Sequence, residues 1–345
     1  METLVEATRG ELVESRHRGI IALVNAEGKL LSSVGDVEQY VFMRSSAKPL
    51  QLIPLIESDA ADHFRFTDSE LAVMMASHSG ESFHVEAVRS ILAKIGLHEG
   101  ALRCGIHWPM NKEATRKLRR SGQEPTAIHN NCSGKHAGML ALAVHGEHTL
   151  NNYTSPDHPV QIQIRASIAD FAGLTPEQIK IGKDGCGVPV FGLPLWRAAY
   201  AYARLVDPAA WPAGRREACK RVVEAMQRHP EMVAGTGRFN TDLVRVGGPR
   251  LVAKGGAEGY YAVGVLPAGR HPGLGLTLKI EDGDLQGRAS GPVVLSCLQQ
   301  LGALQEEDMP RLRSHWSRSI YNHRGEIVGE LRTTFSLFPS RHHED

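Results

Sequence analysis

Apolar residues fall in short blocks parted by turn-forming residues, and their spacing separates strands from helices. Gly19-Ile20-Ile21-Ala22-Leu23-Val24 reads as a buried strand, Asn25-Ala26-Glu27-Gly28 as a turn, and residues 29–34 as the returning arm of a hairpin. The far end repeats this grammar: residues 319–321, a turn at Asn322-His323-Arg324-Gly325, then residues 326–329. Two such hairpins at opposite ends call for an antiparallel sheet shared by both ends of the chain. Further strands are expected at Tyr40-Val41-Phe42-Met43, Leu251-Val252-Ala253, residues 260–265 and residues 274–280. Helical spacing marks residues 50–56, 68–76, 84–95, 138–144, 159–171, 215–229 and 292–301. The segment from Asp68 opens with a capping residue and places acids in its first turn. The expectation is an α+β fold, a mainly antiparallel sheet covered by helices, closing on itself as one domain over 1–345.

Composition narrows the class of protein. Hydrophobic residues make up 42% and charged residues 22%, ordinary for a soluble globular chain. A formal net charge of +1 gives no footprint for nucleic acid or an anionic membrane. No apolar stretch approaches a membrane span, and the first six residues lack the basic and apolar regions of a secretory signal. Five cysteines, an odd number in a long chain, argue against a disulfide framework and for a reducing compartment. The expected location is the cytoplasm.

Five polar clusters interrupt the apolar blocks. In Met43-Arg44-Ser45-Ser46-Ala47-Lys48-Pro49-Leu50 a serine stands three residues before a lysine, where a strand gives way to a helix. Positions i and i+3 share a helix face, so the Lys48 amine can reach the Ser45 hydroxyl and, if neutral, take its proton. A capping serine beside a solvated lysine is the plainer alternative. Ala76-Ser77-His78-Ser79-Gly80-Glu81 reads either as a polar pocket wall or as a glycine C-cap. His129-Asn130-Asn131-Cys132-Ser133-Gly134-Lys135-His136-Ala137-Gly138 and Lys183-Asp184-Gly185-Cys186-Gly187 are dense in groups that bind metals or substrates. Two cysteines with one or two nitrogens would serve a zinc ion, but no C-x-x-C pair is present and spacing leaves the metal open. Cys104, Cys219 and Cys297 sit in apolar contexts and read as packing residues. In Val252-Ala253-Lys254-Gly255-Gly256-Ala257-Glu258-Gly259 a lysine ends a strand, placed either to face a nucleophile across a cleft or to meet solvent. The loop from Gly235 to Asp242 can border the cleft and is not a dinucleotide fingerprint.

In this order the five clusters resemble one family, the asparaginase II family of rhizobial-type, thermolabile L-asparaginases. The resemblance runs from the Ile20 strand to the C-terminal hairpin. It implies a fold like that of serine β-lactamases and serine-dependent glutaminases, two serine–lysine pairs at Ser45 with Lys48 and Ser77 with Lys254, and a homodimer. It also implies zinc held by Cys132, Lys135 and Cys186. The implied substrate is L-asparagine, with no nucleic-acid or membrane partner. On that reading Ser45 attacks the side-chain amide with Lys48 as base, and Ser77 and Lys254 shuttle the proton. Arg44 and Asp184 then anchor or orient, and His136 supports the metal site. Three points stay open: whether Ser45 or Ser77 carries the acyl group, whether a zinc-bound hydroxide attacks instead, and how far glutamine is also a substrate. A non-catalytic amino-acid- or metal-binding protein on the same scaffold is the reading outside enzymes.

Overall fold

Eleven strands are seen in this computed structural model, which describes residues 1–316 and 319–338. The span read as one domain includes 317–318 and 339–345, which lie outside the described residues. The strands are β1 (Glu2–Arg9), β2 (Leu12–Asn25), β3 (Leu30–Val34), β4 (Tyr40–Phe42), β5 (Lys180–Lys183) and β6 (Pro189–Pro194). They continue with β7 (Leu251–Gly255), β8 (Tyr260–Val265), β9 (Leu274–Ile280), β10 (Ser319–Tyr321) and β11 (Ile327–Thr333). The main sheet runs β10-β11-β1-β2-β9-β8-β7, with β3 also paired to β2, and a small sheet runs β4-β6-β5. Among the described residues these strand pairings are all antiparallel.

The two chain ends do share the sheet, but through a strand that the hydrophobic pattern did not reveal. β11 pairs with β1, with Val5 opposite Thr333. β1 in turn pairs with the first half of β2, where Glu14, Arg16 and Arg18 interrupt any apolar run. Opposite charges meet across that half, with Arg16 3.1 Å and Arg332 2.8 Å from the Glu6 carboxylate. The second half of β2 is buried throughout, and Ile21 faces Val34 of β3 on one side and Leu278 of β9 on the other.

Period-two alternation divides the central strands between two apolar layers. Ile20, Ala22, Val24, Val252 and Ala262 join one core with the helices Lys48–Glu57, Asp68–Met74, Ser133–His145, Pro159–Ala172, Leu195–Val206 and Ala213–Arg228. Ile21, Leu23, Ala253, Val263, Leu276 and Leu278 join the other with the helices Phe239–Gly247 and Ser290–Gln300. The Leu195–Val206 helix lies so close on β9 that a Cβ at Gly275 would overlap the Ala199 carbonyl. The fold is thus α+β, a mainly antiparallel sheet with helices on both faces.

Three local expectations change. The helix read from Gly138 begins at Ser133, so the Ser133–His136 cluster is its first turn rather than a loop before it. The Gly235–Asp242 loop ends at Arg238, and Phe239–Gly247 is helical. The helix Leu195–Val206 and strands β5 and β6 were not foreseen.

Candidate active site

A short 3-10 turn, Arg44–Ala47, leads from β4 into the Lys48–Glu57 helix, with Pro49 in its first turn, where a missing N–H is harmless. The turn opens on Arg44 at φ +50°, a left-handed conformation unusual outside glycine. Ser46 Oγ donates to the Lys254 carbonyl at 2.7 Å, fastening the turn to β7. Ser45 is half-buried and lines the cleft beyond.

Lys48 is 1% exposed, and its ammonium donates to the Ala76 carbonyl, to Ser77 Oγ at 3.1 Å and to Cys132 Sγ at 3.2 Å. The predicted i, i+3 partner is therefore not the one it takes: among the described residues no hydrogen bond joins Lys48 to Ser45. The second predicted pair is joined, since Lys254 Nζ donates to Ser77 Oγ at 3.0 Å and to the Gly255 carbonyl at 2.8 Å. Ser77 Oγ thus sits between two amines. Burial pushes Lys254 well below the usual lysine range, and the charges of Lys48 and Arg238 push the same way. Burial also lowers Lys48, with Cys132 pulling the opposite way and Lys135 reinforcing the fall.

Cys132 caps the Ser133–His145 helix, and Gly134 lets that helix touch the Asp68–Met74 helix, since a Cβ there would overlap the Val73 carbonyl. This close approach brings Cys132 to Lys48. Lys135, one turn further on, donates to Cys186 Sγ at 3.0 Å and lies 3.9 Å from Asp184 Oδ2. Asp184 accepts from Arg44 Nε at 3.1 Å, and Arg44 also lies 3.9 Å from Glu258. Cys132 and Cys186 share one hydrogen bond, which with the Lys135 and Lys48 charges outweighs burial and holds the Cys132 thiol well below its usual range. The same bond, with burial, raises Cys186. Burial alone would lower Lys135, but Cys132, Cys186 and Asp184 together raise it.

Among the described residues no group of three or more His, Cys, Asp or Glu stands together as a metal site. The convergent donors are two sulfurs and an amine, a soft set whose chemistry fits zinc. His136 does not join them: its Nδ1 shares a hydrogen bond of 2.7 Å with the Tyr153 hydroxyl, which also accepts the Arg103 N–H. Burial keeps His136 neutral, with Nε2 unpartnered. All five cysteines are free.

A cleft of about 440 Å³ joins Ser45, Ser77 and Lys254 to Asn131, Arg238, Asn240, Glu258 and Tyr261. Arg238 and Asn240 were not singled out in the sequence, because the segment carrying them read as an unstructured border. A Gly-x-Phe-Asn turn, Gly237 to Asn240, entering a helix was the signal available. His78, prominent in its motif, is structural: it bonds Ser133 Oγ at 2.8 Å through Nε2, accepts the Gly80 N–H at Nδ1 and stacks on His84. A wider groove of about 660 Å³ between Arg89, Lys117 and His129 holds none of the candidate residues.

No curated protein matches the chain. Among solved structures it is similar to a Bacillus glutaminase in 4.3 M NaCl, with 14% identity, 83% of this chain and 91% of that one covered, and a TM-score of 0.38. A Bacillus subtilis glutaminase covalently joined to 5-oxo-L-norleucine gives 14% identity, 86% and 92% coverage and a TM-score of 0.32. Both superpositions are loose, and nothing about this site follows from them. The sequence profile is more informative: the model of L-asparaginase II matches residues 5–333, a span that takes in every residue of the serine–lysine and cysteine clusters, and the chain belongs to that family of amidohydrolases.

Proposed function

We propose that the chain is an L-asparaginase, converting the side-chain amide of L-asparagine and water to L-aspartate and ammonia through a serine ester. The observation that supports this best is Ser77 Oγ held at 3.1 and 3.0 Å from two buried lysine amines in a cleft that Ser45 also lines. An amine pressed toward its neutral form can take a hydroxyl proton and return it to departing ammonia. In the first assignment Ser45 Oγ attacks the amide carbon, and its proton passes by way of Ser77 toward Lys48 or Lys254. Ammonia leaves with a proton from that relay, and water, deprotonated by the same amines, cleaves the ester. In the second, Ser77 itself carries the acyl group; its two lysine contacts favour this, whereas Ser45 has none. Arg44 and Asp184 fix the turn against the cysteine cluster.

Zinc held by Cys132, Lys135 and Cys186 is part of the proposal. Bound there it would supply Lewis acidity and fix the helix that carries Cys132. Elemental analysis of the purified protein tests it. A homodimer in a reducing cytoplasm accompanies the reading, supported by the resemblance and the free cysteines; among the described residues no helix is long and apolar enough to cross a membrane.

Ammonia release from asparagine and glutamine, measured side by side, tests the activity. Asparagine should be preferred, with glutamine within about 10–200-fold of it, because one methylene is worth only that much in a simple pocket. Release from neither would sink the reading. Mass spectrometry of Ser45→Ala and Ser77→Ala during turnover decides the nucleophile: the variant that forms no acyl-enzyme has lost it.

A further inference from the structure

We infer that Arg238 and Asn240 form a carboxylate-binding subsite that restricts the cleft to free amino-acid amides, an inference that rests on the amidohydrolase reading above. Both residues line the cleft shared by Ser45, Ser77 and Lys254. Arg238 lies partly buried, and its guanidinium donates only to neutral acceptors, Ser79 Oγ at 3.3 Å and Met110 Sδ at 3.7 Å. Among the described residues no carboxylate pairs with it. A guanidinium stays charged at any working pH, so a partly desolvated one without an anion is an incomplete site.

Asn240 supplies the second, independent observation. It is nine-tenths buried, and its Oδ1 accepts the Gly255 N–H at 3.2 Å and the Tyr261 hydroxyl at 3.1 Å. Those two donors fix which end of the amide is oxygen, and they leave Nδ2 buried with no acceptor. A buried, unmatched amide donor and an unpaired cation lining one cleft suit an anion with two oxygens. The two residues stand at the start of the nine-residue Phe239–Gly247 helix, whose first N–H groups favour negative charge.

The position of Arg238 is supported in turn. Gly235 lies at φ +138°, and a Cβ there would overlap Ser79 Oγ, so only glycine leaves room for the serine that receives the guanidinium. Ser79 Oγ donates onward to the Ala234 carbonyl at 3.0 Å, which leaves its lone pairs for Arg238. A substrate whose α-carboxylate rests on Arg238 and Asn240 presents its side-chain amide to the remainder of the same cleft, where Ser45 and Ser77 stand.

The test compares L-asparagine with L-asparagine methyl ester, which keeps the side-chain amide and removes the negative charge. Wild-type protein should favour the acid by about 10–100-fold in kcat/KM, mostly through KM, the range expected for hydrogen bonds to a charged group. Arg238→Gln should shrink that preference to within about threefold, and Arg238→Lys should retain part of it. Wild-type protein that treats acid and ester alike, or an Arg238→Gln variant that keeps the full preference, overturns the subsite. If no amide is hydrolysed at all, the melting temperature decides. A rise with L-asparagine that is absent with the ester and absent in Arg238→Gln supports the subsite while rejecting the amidohydrolase reading; equal rises, or none, overturn the subsite.

Discussion

Three lysines in one connected polar network are almost equally hidden from water, with exposures of 1% at Lys48, 2% at Lys254 and 5% at Lys135, yet their electrostatics diverge. Lys254 meets a hydroxyl and a carbonyl and feels the charges of Lys48, Arg238 and Lys135, so burial dominates and drives it toward the neutral amine. Lys135 meets two sulfurs and a carboxylate, and these together overcome burial and hold it charged. Lys48 stands between, touching Ser77 on one side and Cys132 on the other, and is lowered. Burial sets the default and the immediate neighbours reverse it. A lysine kept near neutrality is suited to proton transfer; a charged lysine among thiols holds the cluster together, and it must give up that proton before its amine can ligate a metal.

The sharpest way to break the contrast is to deny Lys254 its neutral form. Lys254→Arg preserves charge and donors but cannot release a proton at working pH, so kcat should fall by about 10⁴-fold or more, as far as for Lys254→Ala. Near-normal turnover in Lys254→Arg would remove the amine from the proton relay. The pH profile follows from the same shift. A lysine with a lowered pKa is a base above that pKa and is protonated below it, so kcat/KM should fall as pH falls through the depressed value. An acidic limb at the usual lysine range, near 10.5, would show that burial does not act on this group as stated.

The next effect is smaller because it strikes the other cluster. Cys186→Ser removes one of the two sulfurs beside Lys135, the one that accepts its hydrogen bond, and one proposed zinc ligand. Zinc affinity should fall by about 100-fold or more, measured by chelator competition. Turnover should drop but survive, because Ser77, Lys48 and Lys254 keep their contacts. Loss as complete as in Lys254→Ala would mean that the two clusters act as a single unit, and the contrast would then describe charge but not function.

The unequal legibility of the two clusters has physical causes. Ser77, Lys254, Cys132, Lys135 and Cys186 were all visible as residues in order, and the antiparallel sheet covered by helices followed from the apolar blocks. Partners were less legible. Helical spacing joined Ser45 to Lys48, but the Ala76 carbonyl, Ser77 and Cys132 arrive from distant segments and claim the amine, which no local rule foresees. β1 and the start of β2 were missed because Leu4, Val5 and Ala7, although buried, do not alternate regularly, and charged residues recur along the first half of β2. Arg238 and Asn240 were missed because their meaning lies in absent partners, and an unpaired guanidinium or amide leaves no trace in spacing.

Asp184→Asn is the mildest probe and the one that separates the contributions to Lys135. Of the three neighbours that raise this lysine, Asp184 is the weakest, and it lies 3.9 Å away, whereas Cys186 Sγ accepts a direct hydrogen bond. The carboxylate also pairs with Arg44, which opens the turn bearing Ser45 in its left-handed conformation. Removing its charge should therefore loosen the turn more than the thiol cluster. The expected loss is about 1–2 kcal/mol of stability, the scale of one charged hydrogen bond in a partly buried setting, read as a fall of a few degrees in Tm. Zinc content should stay at the wild-type level. If Asp184→Asn instead released the metal as fully as Cys186→Ser, the carboxylate would be holding Lys135 to its task, and the ranking of neighbours drawn from distance would have to be reversed.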